Sequence, residues 1–201
     1  MKTDIIMVSS KGSQMEIALK QVEKVAAYKD LSPKATLHLR LLAEEMMGMM
    51  RSITGETEGE FWIEDQDSEF QLHLRVAARL TPEKREQLLS ASSTGKNESA
   101  KGLMGRLRAF FDWSCDLDTD GLPGYMLLPD AYEHYSTAAT LEWEWSMQRY
   151  EAALNAQMQS DSGVQEAWDE LEKSVVKHVA DDVKVAIRGG TVEMIIIKKL
   201  A

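Results

Sequence analysis

The residue types that carry chemistry are few in this chain, and their spacing limits what each could do. Asp116, Asp118 and Asp120, followed by Gly121, repeat the first half of an EF-hand loop, where alternating carboxylates offer hard oxygen ligands to Ca²⁺. The loop position that needs a bidentate Glu is Leu127, and Pro123-Gly124 stands where the next helix should begin, so the segment reads as an acidic surface loop. His38, His73, His134 and His178 lie on separate elements without zinc-ligand spacing; His38 and His178 are expected on helix surfaces. Cys115 is the only cysteine, which excludes an intrachain disulfide and fits a reducing compartment. Nothing near it resembles a base that would make it a nucleophile. Lys96, Lys101, Arg106 and Arg108 gather positive charge that could hold a small anion.

The whole chain is acidic, with a formal net charge of −10 over 201 residues. That balance argues against general nucleic-acid binding and against docking on anionic lipid. No apolar run reaches the roughly 18–20 residues of a membrane span. Met1–Val8 is too short for a signal sequence and reads as a first strand, so a cytoplasmic protein is expected.

The elements that must position these residues follow from periodicity. After the strand Asp4–Ser9, a helix carries Met15, Leu19, Val22, Val25 and Ala26 at helical spacing as far as Tyr28. Ser32-Pro33 opens a second helix, with Ser as cap and Pro in the first turn. Its expected apolar stripe is Leu37, Leu41, Leu42, Met46, Met49 or Met50, and Ile53. Phe61-Trp62-Ile63 and Phe70–Val76 flank the polar turn Asp65–Ser68; in the second strand Phe70, Leu72, Leu74 and Val76 face a core while Gln71, His73 and Arg75 face water. A short helix, Glu83–Ser90, a Ser/Gly-rich loop, Ala91–Ser99, and a helix from Ala100 follow. Helices are expected over Thr140–Gln157 and Val164–Ala180, with Trp143 and Trp168 packing the two together. Trp145 is off that stripe and is the better candidate for an interface. Finally, two β-branched runs flank Gly189-Gly190, which predicts a tight terminal hairpin. The fold class expected is α+β: a two-layer sandwich with a mixed, mostly antiparallel sheet under a helical layer, in one domain with residues 112–180 as a mainly helical insertion.

This order of elements resembles the histidine-kinase-like ATPase superfamily, and within it the bacterial anti-sigma factors that are also serine kinases. The likeness covers Met1–Phe111 and Asp181–Ala201 and leaves 112–180 as an insertion. It implies ATP and Mg²⁺ as cofactors, held at three motifs. The second helix of the family carries a Glu and, four residues on, an Asn for the magnesium. Glu44 would put Gly48 at the Asn position, and Glu45 would put Met49 there; neither supplies an oxygen. The family's Asp-x-Gly-x-Gly for adenine should follow the third strand, where this chain reads Ala77-Ala78-Arg79-Leu80-Thr81-Pro82. The phosphate-cradling loop and helix start is matched by Ser92–Gly105, with Gly102 and Gly105 allowing close backbone approach and Lys96 and Lys101 adding charge.

Two of the three motifs are thus lost, and the methionines around Gly48 would fill the place of a nucleotide with apolar side chains. The expectation is a regulatory protein that binds a protein partner on a degenerate scaffold without hydrolysing ATP. The alternative is a working ATP-binding serine kinase of the anti-sigma type with divergent motifs.

Overall fold

The computed structural model describes residues 1–9, 15–54, 58–77, 143–157, 165, 168–169, 171–188 and 191–200. Its elements in chain order are β1 (Ile6–Ser9), α1 (Met15–Tyr28), α2 (Pro33–Thr54), β2 (Glu58–Gln66), β3 (Glu69–Ala77), β4 (Trp143–Ser146), α3 (Met147–Gln157), α4 (Val175–Val179), β5 (Asp182–Arg188) and β6 (Thr191–Lys199). The six strands form one sheet in the order β1-β2-β3-β6-β5-β4, and every pairing is antiparallel. The α+β sandwich expected from the sequence is therefore the architecture.

Both hairpins have local causes. Asp67 and Ser68 take positive φ, 49° and 68°, which is the backbone of a two-residue turn whose twist matches its strands. That turn pairs Gln66 with Glu69 and so sets Phe61 opposite Leu74 and Trp62 opposite His73. Arg188 pairs with Thr191 across residues 189–190, as the Gly-Gly between β-branched runs predicts.

α2 starts as its cap dictates: the Ala35 N–H donates to Ser32 Oγ at 3.2 Å. Its buried face is rotated from the expected stripe. Leu39, Leu42, Ala43, Met46, Met47, Met49 and Met50 are buried, whereas Leu37 is exposed and Leu41 only half-buried. These positions span one arc of the helix, and they meet Phe61, Ile63, Phe70, Leu72, Leu74, Val192, Met194 and Ile196 from the sheet in one core. Fully burying a side chain of this size contributes about 1.5–3 kcal/mol, so the four methionines form a large share of what holds α2 to the sheet.

Helix spacing misplaces Trp145. Trp143–Ser146 is a strand paired to β5, and α3 begins only at Met147. Trp145 is therefore a core residue, packed on Tyr150 with ring centroids 5.9 Å apart, and not an exposed interface residue. The junction is fixed from both sides. Ser146 Oγ accepts from the Arg149 N–H at 3.3 Å, and Asp182 Oδ1 accepts from the Gln148 N–H at 3.1 Å. Trp168 packs partly buried against the core, while the Trp143 side chain lies outside the described residues. The expected helix Val164–Ala180 is described only in pieces, the last being α4.

Candidate functional site

The residues expected to hold a nucleotide separate onto different faces of α2. Glu44 and Gly48 lie on the outer side, a turn apart, and Glu45 is half-buried beside them. Arg40 Nε stands 3.4 Å from Glu44 Oε1, and Arg40 also pairs with Glu23 of α1 at 2.5 Å. The Glu44 carboxylate is thus engaged by a neighbour's guanidinium. Gly48 is exposed, with open space where a Cβ would stand. Met46, Met47, Met49 and Met50 point the other way, into the core. If Glu45 were the acid, the magnesium position would be Met49, which is buried among apolar side chains. Lys96, Lys101, Gly102 and Gly105 lie outside the described residues, as do Cys115, the Asp116–Gly121 loop and His134. Two shallow depressions occur at the far end of the sheet, of 330 Å³ beside Gln66–Glu69 and 240 Å³ beside Glu64–Gln66; neither is lined by Glu44 or Glu45.

The chemistry-bearing cluster that the described residues do assemble is on the other face of the sheet. Trp62 of β2 and His73 of β3 are cross-strand partners, stacked with ring centroids 4.7 Å apart and 11° between planes. They are only 2 % and 6 % exposed, although alternation places both on the side away from the helices. The expectation that His73 faces water is thus overturned: it is buried, with the Trp62 ring stacked on one side of it. Lys2 Nζ and the Arg75 guanidinium lie 5.2 and 5.0 Å from the Trp62 ring centroid, in cation–π range. Trp62 Nε1 donates to Glu64 Oε1 at 2.9 Å, and Lys2 pairs with the same oxygen at 2.9 Å. These two hydrogen bonds, the one from Lys2 first, hold the Glu64 carboxyl below its ordinary range.

Among the described residues, neither ring nitrogen of His73 has a partner in full hydrogen-bonding geometry. Glu193 Oε1 of β6 stands 3.5 Å from Nδ1 and Glu64 Oε1 4.0 Å from Nε2, close enough to attract a proton but outside bonding geometry. Burial dominates and lowers the His73 pKa, with the two carboxylates acting in opposition. The cluster has ion pairs and a buried imidazole but no nucleophile with an adjacent base. Among the described residues, no three His, Cys, Asp or Glu side chains converge as a metal-ligand group. His38 is half-buried on α2, and exposed His178 sits on α4 with Nε2 2.6 Å from the Glu172 carbonyl oxygen.

Sequence reasoning missed the Trp62–His73 pair. The signal for it was the turn: a two-residue connection at Asp67-Ser68 fixes the register, and the register makes these two residues opposite each other. No known protein family, curated protein or solved structure gives a significant match to the chain. Among the described residues, no helix is long and apolar enough to cross a membrane.

Proposed function

We propose that this protein is a cytoplasmic regulator that acts by binding a protein partner, on an ATPase-like scaffold that no longer handles ATP. The observation that carries this reading is the arrangement of α2. Its would-be magnesium position is either Gly48, which has no side chain, or Met49, which is buried, and Met46, Met47 and Met50 belong to the core. Glu44 is held by Arg40. Among the described residues, a metal carried there by a polyanion would find no oxygen side chain at Gly48 or Met49, and the Glu44 carboxylate beside it is already engaged by Arg40. The succession of β1, α1, α2 and the β2–β3 hairpin, closed by the β5–β6 hairpin against β3, supports the ATPase-like layout. The net charge of −10 and the lone cysteine support a protein partner in a reducing compartment over nucleic acid or anionic membrane.

Calorimetric titration of the full chain with ATP and Mg²⁺ tests the reading. The expected outcome is no binding heat; a micromolar Kd would overturn it and establish the nucleotide-binding alternative.

A further inference from the structure

We propose that Glu64, His73 and Glu193 form a proton-operated clamp across three neighbouring strands, which closes when the imidazole is protonated and releases Lys2 from Glu64. The three residues stand on β2, β3 and β6, adjacent in the strand order. Glu193 Oε1 lies 3.5 Å from His73 Nδ1 and Glu64 Oε1 lies 4.0 Å from Nε2, so a carboxylate faces each nitrogen of the ring. A neutral imidazole has one N–H and one lone pair. Whichever tautomer it takes, one nitrogen turns its lone pair toward a carboxylate oxygen. Only the imidazolium offers an N–H to both. The paired acceptors therefore suit the protonated ring, and the open distances fit the neutral one.

The charges around the ring are arranged for the same change. Glu64 and Glu60 face it from β2, Arg75 from β3, Glu193 from β6 and Lys2 from the run before β1. Ile195 lies opposite His73 and separates it from Lys184 of β5. Arg75 pairs with Glu60 at 3.4 Å and Lys2 with Glu64 at 2.9 Å. Of these carboxylates only Glu193 lacks a cation among the described residues, and a proton on His73 supplies it. Burial works against that charge and sets the closing below the ordinary imidazole range.

Glu64 cannot close on the ring and keep both of its present partners. Its Oε1 already accepts from Trp62 Nε1 and from Lys2 Nζ, each at 2.9 Å. Trp62 is fixed in β2 and stacked on the imidazole, whereas the Lys2 side chain is more than half exposed. The imidazolium also repels the Lys2 ammonium. Lys2 Nζ, now 5.2 Å from the Trp62 ring centroid, is thus the partner that leaves. One proton taken up at His73 displaces one cation from the carboxylate and from the indole.

Nuclear magnetic resonance of the full chain, titrated from about pH 8 to about pH 4.5 with circular dichroism in parallel, tests the clamp. The His73 signals are those lost in His73→Gln. Nuclear Overhauser contacts between the Lys2 side chain and the Trp62 ring should be present at the start and vanish at the midpoint of His73 protonation, with the circular dichroism unchanged. Glu193→Gln should move that midpoint down. Lys2→Met, which removes the competing cation, should move it up. Lys2–Trp62 contacts that persist once His73 is protonated overturn the proposal. So does a midpoint that either substitution leaves in place or moves the other way, or a wild-type chain that unfolds before His73 takes its proton.

Discussion

Gly48 and Gly59 show how differently one residue type can be constrained. At Gly48 a Cβ would meet nothing within 4 Å, and the position is mid-helix, where glycine costs conformational entropy. Gly48→Ala should raise stability by about 0.5–1 kcal/mol, read as a higher urea midpoint with an unchanged slope. At Gly59 in β2 a Cβ would stand 2.9 Å from the Arg75 carbonyl oxygen and 3.2 Å from Met50 Sδ, so the same substitution should destabilise by about 1–3 kcal/mol. Gly48 also shows what was legible at this scale. That its register leaves the position an ATPase-like scaffold would use for magnesium without an oxygen is visible in the letters alone. The Arg40–Glu44 pair is legible as well, at i,i+4 on one helix, whereas the reach of Arg40 to Glu23 on another helix is not.

At the scale of elements, both hairpins and the first two helices could be read from turn residues, caps and period, since these signals are local. β4 could not. Trp143, Met147, Tyr150 and Leu154 recur at helical spacing, and no glycine or proline separates the strand from α3. The local signal is only Ser146, whose Oγ accepts from the Arg149 N–H; the other half comes from far along the chain, where Asp182 Oδ1, held by its own Val183 N–H, accepts from the Gln148 N–H. Asp182 thereby caps α3 and fixes β4 against β5. Asp182→Ala should lower stability by about 1–2 kcal/mol, more than an ordinary surface change, measured by chemical denaturation. The rotated stripe of α2 has a similar origin. Leu37 fits the helical period, but the sheet that α2 must cover decides which arc is buried.

At the scale of the whole molecule, acid should weaken the fold in two stages. An unfolded His73 takes up a proton near its ordinary value of 6.5, while burial in the folded protein holds protonation off to lower pH. Between those two values the unfolded chain binds more protons, so stability falls as pH falls. Glu64 acts later. Its folded pKa lies below the ordinary 4.5, so its contribution is present above that value and is lost on further acidification. The urea midpoint should therefore decline between about pH 7.5 and about pH 5.5 in the wild type, and His73→Gln should decline less over the same range. A variant as sensitive as the wild type would remove His73 from this role.

The strand order has a consequence for synthesis. β3 lies at the centre of the sheet, yet its neighbour β6 is made last among the described strands, with Glu69 waiting for Lys199 and Ala77 for Thr191. Throughout the translation of the intervening segment, one side of β3 has no partner while its apolar face, Phe70 to Val76, has already emerged. A nascent chain in that condition is open to pairing with its neighbours on the same message. Slowing the ribosome across that interval is therefore expected to lower the soluble yield of this protein without changing the stability of its finished sheet.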